Sequence, residues 1–387
     1  MRKIVLAIDS FKGCLTSMQA CQAAALGLAE AVIVPVSDGG EGLTEVLTEA
    51  LGGTLVSIPT HDPLMNPMTA TYGISADGST AIIEMAAACG LPLVPIDKRN
   101  PELTTTYGFG EMILDALRRG CRHLILGIGG SATNDAGMGM LQALGASFET
   151  SDGCCYRAMA SKGCDGGYSA MASPASTPTI INGRMLSSLR AIRTSSLSSL
   201  LQDVTIQVAC DVQNPLCGPN GAAYVFAPQK GADADMVHRL DHGLQNVQNL
   251  AHCPKSQPGD GAAGGLGFAL RHYLHATLLP GIDLVLQSQQ FEEKIRNAEM
   301  IITGEGKSDR QTLMGKVPFG ILQIAQRHQI PVHIIAGKIE DQSLLLNAGF
   351  SGCHCINEGD NAPIDELMKP EHAIQNIVKT VKELVSF

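Results

Sequence analysis

Apolar runs alternate with helical segments toward both ends of the chain. Residues 3–8 read as a strand whose short apolar stretch is closed by Asp9, the pattern of a strand buried on both faces. A segment rich in Ala, Leu and Gln over 17–31 reads as a helix, and 32–36 as the next strand. Asp38-Gly39-Gly40-Glu41-Gly42 then leads into a helix ending near Leu51. The rhythm returns later, with strands at 299–303 and 331–336 and helices at 317–328 and 371–385. Strands that alternate with helices of roughly 10–15 residues predict a parallel sheet covered on both faces.

The middle has another pattern. Strands at 69–74 and 80–85 flank Asp77-Gly78, a turn pair that tolerates positive φ and predicts a hairpin. A helix at 110–118, a buried strand at 123–127, a glycine-rich turn and a helix to about Leu144 follow. The pattern predicts two α/β domains: a parallel-sheet, Rossmann- or flavodoxin-like domain from 1–60 and 282–387, and an inserted mixed α/β domain over 61–281. Residues 151–203, rich in Ser, Ala and Cys with little periodicity, read as a long irregular connection.

The 387 residues suit two domains at roughly 150 residues each. Apolar residues make up 45%, too many for a disordered chain. With 27 Lys+Arg against 37 Asp+Glu the formal charge is −10, which argues against a general nucleic-acid binder, since that role needs a basic footprint. No apolar run approaches the roughly 20 residues of a membrane span, and the short first run is no signal-peptide core. The twelve cysteines lack framework spacing. Cys89, Cys121 and Cys210 fall in predicted elements as small apolar residues. Cys154, Cys155 and Cys164, and the Cys353-His354-Cys355 run, lack the paired spacing of a zinc site. A reducing, cytoplasmic setting is expected.

Candidate chemistry sits at strand ends, where loops and helix N-termini of parallel sheets converge on ligands. Asp9-Ser10-Phe11-Lys12 follows the first strand, Asp38-Gly39-Gly40-Glu41-Gly42 the second, and Gly304-Glu305-Gly306-Lys307-Ser308-Asp309 the strand at 299–303. For each alone a helix cap is an equally good reading; three together make capping alone a weaker account. The turn Gly127-Ile128-Gly129-Gly130-Ser131-Ala132-Thr133-Asn134-Asp135 offers backbone N–H groups and hydroxyls to an anion. Its Gly127-x-Gly129-x-x-Ala132 spacing is like a dinucleotide fingerprint, yet Asp135 would repel a docked pyrophosphate. A metal-bridged phosphate or a hydroxylated substrate suits Asn134 and Asp135 better. The Gly259–Gly267 cluster, including Gly264 and Gly265, packs against either a ligand or a helix. Lys316, just before a helix start, points to an anion partner. No G-x-x-x-x-G-K-[ST] motif, protein-kinase motif or G-x-S-x-G elbow is present.

Together these loops resemble the bacterial-type glycerate kinase family, which is unrelated to the P-loop and protein kinases. The matches are Ile8-Asp9-Ser10-Phe11-Lys12, Pro35-Val36-Ser37-Asp38-Gly39-Gly40-Glu41-Gly42, Ile83-Glu84-Met85-Ala86-Ala87-Ala88, and Arg99-Asn100-Pro101 with Thr104-Thr105-Thr106-Tyr107-Gly108. Residues 127–139, Ala209-Cys210-Asp211-Val212 with Asn214-Pro215-Leu216, and Pro228-Gln229-Lys230-Gly231-Ala232 continue the series. Residues 261–267, Thr303-Gly304-Glu305-Gly306 and Gly315-Lys316-Val317-Pro318 complete it. Residues 151–203 depart from the family pattern, and Lys307-Ser308 replaces an arginine and an aliphatic residue.

The resemblance implies ATP-dependent phosphorylation of D-glycerate, most often to 2-phosphoglycerate, with Mg²⁺, in a cleft between two α/β domains. It implies ATP and D-glycerate as partners, with no nucleic acid or membrane. On this view Asp211 orients or deprotonates the attacking hydroxyl, and Lys12 or Lys316 holds the glycerate carboxylate or the phosphoryl group. Asp9, Asp38, Glu305 and Asp309 are candidates for Mg²⁺ or its waters, and Ser131, Thr133, Asn134 and Asp135 for substrate. Gly129, Gly130, Gly264, Gly265, Gly304 and Gly306 are the expected backbone contacts to nucleotide. The enzyme alternatives are an NAD-dependent hydroxy-acid dehydrogenase using the Gly127 turn, or 3-phosphoglycerate as product. From another class comes a non-catalytic binder of a hydroxy acid.

Overall fold

The computed structural model describes residues 3–40, 42–159 and 179–386. Glu41, Cys164 and the 160–178 part of the expected irregular connection lie outside the described residues. The strands are, in order, β1 (Ile4–Ile8), β2 (Val32–Ile33), β3 (Thr54–His61), β4 (Pro67–Ile74), β5 (Thr80–Glu84), β6 (His123–Gly127) and β7 (Ser147–Thr150). Then follow β8 (Cys155–Tyr156), β9 (Leu189–Arg193), β10 (Thr205–Ala209), β11 (Thr277–Leu279), β12 (Met300–Ser308), β13 (Val332–Ile339) and β14 (Gly352–Cys355). The chain divides into an end unit, Met1–Gly53 with Pro280–Phe387, and a middle unit, Thr54–Leu279.

In the end unit, every position of β1 is buried, and the strand sits inside an all-parallel sheet of order β14-β13-β12-β1-β2. Leu6, Ile8 and Ile302 pack with Ala20 and Ala24 of the helix Ser17–Ala25 and with Ala373, Ile377 and Val381 of the helix Pro370–Val385. A capping box between Thr16 and Gln19 starts the first helix, which stops short of the expected 31. β2 is also shorter than expected: Pro35 has no N–H for the ladder, and Val34 N–H makes the last bond, to Leu6 O. β12 runs longer, carrying Gly304-Glu305-Gly306 inside the strand. A Cβ on Gly304 would lie 2.3 Å from Ile335 O, so glycine lets the two backbones meet.

The middle unit holds a six-stranded sheet, β11-β10-β6-β5-β4-β3, parallel from β11 to β5 and antiparallel through β4 and β3. The β4–β5 hairpin turns at Gly78 (φ +72°), with Asp77 accepting from Ser79 N–H and from the Ser75 and Ser79 hydroxyls. β3 is a strand the hydrophobic pattern does not announce. It falls between the elements that pattern predicts, and on a sheet edge its Pro59 is tolerated. Residues 151–203 are not wholly irregular: β8 and β9 flank β7 in a small antiparallel sheet. Among the described residues, no helix is long and apolar enough to cross a membrane.

Candidate functional site

Ile8 pairs with Gly304, and Gly304 with Ile335, so Asp9, just past the end of β1, lies level with Glu305 on the neighbouring β12. Ser17 Oγ donates to Ile8 O (2.6 Å) and accepts from Val36 N–H (2.8 Å). One buried hydroxyl thus ties the Asp9 loop to the Asp38 loop. Asp9 accepts from Ser10 N–H (2.7 Å) and Asp38 from Gly40 N–H (3.0 Å). A Cβ on Gly281 would stand 1.9 Å from Asp38 O, so only glycine lets that helix start approach the loop.

Burial pushes the Asp9 carboxyl up to about 7, opposed by the Ser10 N–H. The negative charges of Asp38 and Glu305 push it the same way as burial, and Lys12 pulls against them. Carboxylates that repel one another in a partly buried loop favour a cation beside them.

Glu305 is buried, its Oε1 accepting from Thr312 Oγ1 (2.6 Å) and Ser308 Oγ (3.2 Å), its Oε2 facing Lys316 Nζ at 3.3 Å. Lys316 caps the helix Val317–Arg327 without a side-chain bond to it, and Glu305 is an anion partner that this position needs. Asp309 accepts from Gln311 N–H (2.8 Å) and pairs with Lys307 (3.3 Å). The Gln311 N–H, with help from Lys307 and against burial, holds Asp309 below the usual carboxylate range. Among the described residues, no group of three or more His, Cys, Asp or Glu is placed to hold a metal ion. Mg²⁺ commonly takes only one or two carboxylates, plus waters and substrate phosphates. Asp9 and Asp38 fit that pattern, while Glu305 and Asp309 are engaged by their neighbours.

In the middle unit, Glu84, Gly127 and Ala209 align across β5, β6 and β10, so the Gly127–Asp135 turn and Asp211 leave the same edge of the sheet. Gly129 and Gly130 are exposed there, and a Cβ on Gly129 would meet nothing within 4 Å. The turn then dives inward: Thr133, Asn134 and Asp135 are 0% exposed. Asp135 accepts from Thr106 N–H (2.7 Å) and Oγ1 (2.8 Å), Gly137 N–H (3.1 Å) and Gly139 N–H (3.2 Å). Burial pushes its carboxyl up, against these donors. Its position, expected among the substrate contacts, is that of an anchor for the loop.

Gly264 (φ +68°) and Gly265 (φ +93°) open the helix Ala262–Leu274. A Cβ on Gly264 would lie 2.1 Å from Thr133 O, and one on Gly265 2.9 Å from Ala136 Cα. These glycines seat the helix directly on residues 133–136. Asp211 is exposed just beyond β10.

Lys230 is the residue that sequence reasoning passed over, although it stands in the matched Pro228-Gln229-Lys230-Gly231-Ala232 turn. Only 2% exposed, it donates through Nζ to Ser131 Oγ and Thr133 O, both at 2.7 Å. Burial pulls its amine down to about 7, and the Asp135 charge works against that fall. Thr133 Oγ1 and both polar side-chain atoms of Asn134 are buried with no hydrogen-bond partner.

A cavity of about 620 Å³ in the middle unit is lined by Glu102, Arg184, His238, Arg239 and His242. Arg239 and Arg184 both pair with buried Glu102, at 2.7 and 3.8 Å, one carboxylate between two guanidinium groups. The described cysteines are free thiols, with Cys89, Cys121 and Cys210 buried.

The family model described as the glycerate kinase family matches residues 4–162 and 167–386, much of the 151–203 stretch included. A glycerate kinase of Bacillus subtilis (strain 168) is 41% identical over 396 residues, 99% of this chain and 97% of its own length. The glycerate 2-kinase of Escherichia coli (strain K12) is 43% identical over 88% of this chain and 86% of its own. A crystal structure described as a glycerate kinase 2 from Salmonella typhimurium LT2 superposes with a TM-score of 0.84 at 36% identity, covering 100% of this chain and 97% of that one. The matches favour a phosphotransferase over a nicotinamide-dependent dehydrogenase, and the chain belongs to the glycerate kinase family.

Proposed function

We propose that the protein transfers the γ-phosphoryl group of ATP to D-glycerate with Mg²⁺, forming 2-phosphoglycerate. The observation that carries this reading is the Asp9 cluster: carboxylates crowded at parallel-strand ends, with Lys12 and Lys316 beside them. Phosphoryl transfer depends on positioning and charge neutralisation more than on covalent chemistry. Asp9 and Asp38 would hold Mg²⁺ or its waters, and the ion supplies charge neutralisation to the polyphosphate. Lys316, steadied by Glu305, and the exposed Lys12 meet phosphoryl oxygens. In the middle unit, Gly129 and Gly130 offer bare backbone N–H groups to an anion.

Asp211 accepts the proton of the attacking hydroxyl as it bonds to phosphorus. The 2-hydroxyl is favoured over the 3-hydroxyl by the likeness to a glycerate 2-kinase. Free thiols suit a reducing, cytoplasmic setting.

Incubation with ATP, Mg²⁺ and D-glycerate, followed by phosphorus NMR, tests the reading. A 2-phosphoglycerate signal is expected. The 3-isomer would overturn the regiochemistry, and release of ADP without a phosphoglycerate would overturn the acceptor.

A further inference from the structure

Unpaired polar atoms inside a protein are rare enough that each needs a reason. One short loop here holds three. Thr133 Oγ1 is a donor and acceptor, Asn134 Nδ2 a donor and Asn134 Oδ1 an acceptor, all buried and all without a partner. Lys230 reaches the same loop from its own turn, bonded to Ser131 Oγ and Thr133 O. An ammonium has three N–H donors, and these bonds use two of them. The nearby anion, Asp135, is committed to Thr106, Gly137 and Gly139.

Resting on the kinase reading above, we propose that Lys230, Thr133 and Asn134 form the subsite that receives the carboxylate of the hydroxy-acid substrate, with Lys230 as a specificity-determining residue. The donors match in kind: ammonium, hydroxyl and amide N–H all bond a carboxylate well. Asn134 Oδ1, an acceptor, suits a hydroxyl of the same molecule. The charge also matches. A monoanion answers one lysine, whereas a polyphosphate would place several negative charges beside the buried Asp135 with a single cation to offset them.

The test is calorimetric binding of D-glycerate and of its uncharged amide, glyceramide, to the intact protein without nucleotide, together with KM values for D-glycerate and ATP. Thr133→Val removes a hydroxyl that bonds nothing in the protein, so its thermal midpoint should match the wild type. Its affinity for D-glycerate should nevertheless fall about tenfold. Lys230→Met should weaken D-glycerate about 100-fold and erase the preference over glyceramide, with the KM for ATP within about twofold of wild type. Unchanged D-glycerate affinity in Thr133→Val overturns the proposal, as does a Lys230→Met protein that keeps its preference. A rise in the KM for ATP in place of that for D-glycerate gives the lysine to the nucleotide and overturns it too. Should Lys230→Met fail to fold, Thr133→Val decides alone. Absence of phosphoglycerate with the wild type sinks the kinase reading, while the calorimetry still decides the subsite.

Discussion

Asp9 in the end unit and Lys230 in the middle unit are both driven by burial to titrate near 7, from opposite directions. Their neighbours differ. Around Asp9 the other acids, Asp38 and Glu305, deepen the perturbation; around Lys230 the acid Asp135 softens it. Asp9, and the Ser131 and Thr133 that hold Lys230, stand in loops at the carboxyl ends of parallel strands, so sheet topology alone does not explain the contrast. Packing does. The Asp9 and Asp38 loops stay partly exposed, whereas the helix opened by Gly264 and Gly265 presses onto residues 133–136 and takes them out of water. One fold rule thus builds a surplus of negative charge that favours a cation in one unit, and a buried cation with idle polar atoms that favours an anion in the other.

The sharpest way to break this comparison is through the acceptor chemistry assigned to the middle unit. Asp211→Asn should cut kcat by about 10²–10⁴-fold, the usual worth of a general base, with D-glycerate affinity nearly unchanged. Steady-state kinetics giving near-normal turnover would remove Asp211 from that role.

Next comes the acid itself. The folded Asp9 keeps its proton up to about pH 7, while the unfolded chain releases it near pH 4. The folded state therefore binds more protons over that window, and stability falls as pH rises from about 4 to about 7, then stays lower. Asp9→Asn should match the wild type near pH 4 and exceed it by about 2 kcal/mol at pH 8, after allowance for solvent screening. Denaturant unfolding at the two pH values measures this. Mg²⁺ should raise the wild-type midpoint at pH 8 and leave that of the variant in place.

Lys230 should show the mirror image. Its folded amine has lost its proton above about pH 7, while the unfolded one keeps it to about 10.4. Stability then falls as pH drops from about 10 to about 7 and is flat below. Lys230→Met lacks this slope, even though loss of two hydrogen bonds lowers its whole curve. Parallel pH curves for the two proteins would end the comparison.

The smallest effect belongs to Glu305→Gln. The amide still accepts from the Ser308 and Thr312 hydroxyls, and only the Lys316 pair is lost. With Lys316 38% exposed, the expected loss is under about 1.5 kcal/mol, with the KM for ATP rising about threefold.

Much of this was legible in the chain. The buried run before Asp9, the Asp77-Gly78 hairpin and the alternation at both ends are local patterns, and local pattern is what propensity and periodicity report. β3 was not legible, because an edge strand needs neither unbroken hydrophobicity nor a full set of N–H donors. The inward side of the candidate site was hidden for a different reason. Lys230 is 97 and 99 residues from its two partners, and nothing in a Pro-Gln-Lys-Gly turn announces that its amine will be buried. Gly264 and Gly265 read equally well as ligand or helix contacts until their close approach to residues 133–136 is seen.

By itself the sequence determined β1, β4, β5, β6, β12 and β13, which loops carry carboxylates, lysines and glycines, and which family the loops resemble, since each is written in contiguous residues. Tertiary structure alone decided that Ser17 would lash two loops together, that Glu305 would steady Lys316, that Asp135 would be spent on Thr106 and its own loop, and that the side chains of Thr133 and Asn134 would be left in the Lys230 loop with nothing to bond. Burial is the physical reason. It is set by segments far apart along the chain, and it turns an ordinary amine or carboxyl into one that titrates near neutrality and seeks a partner.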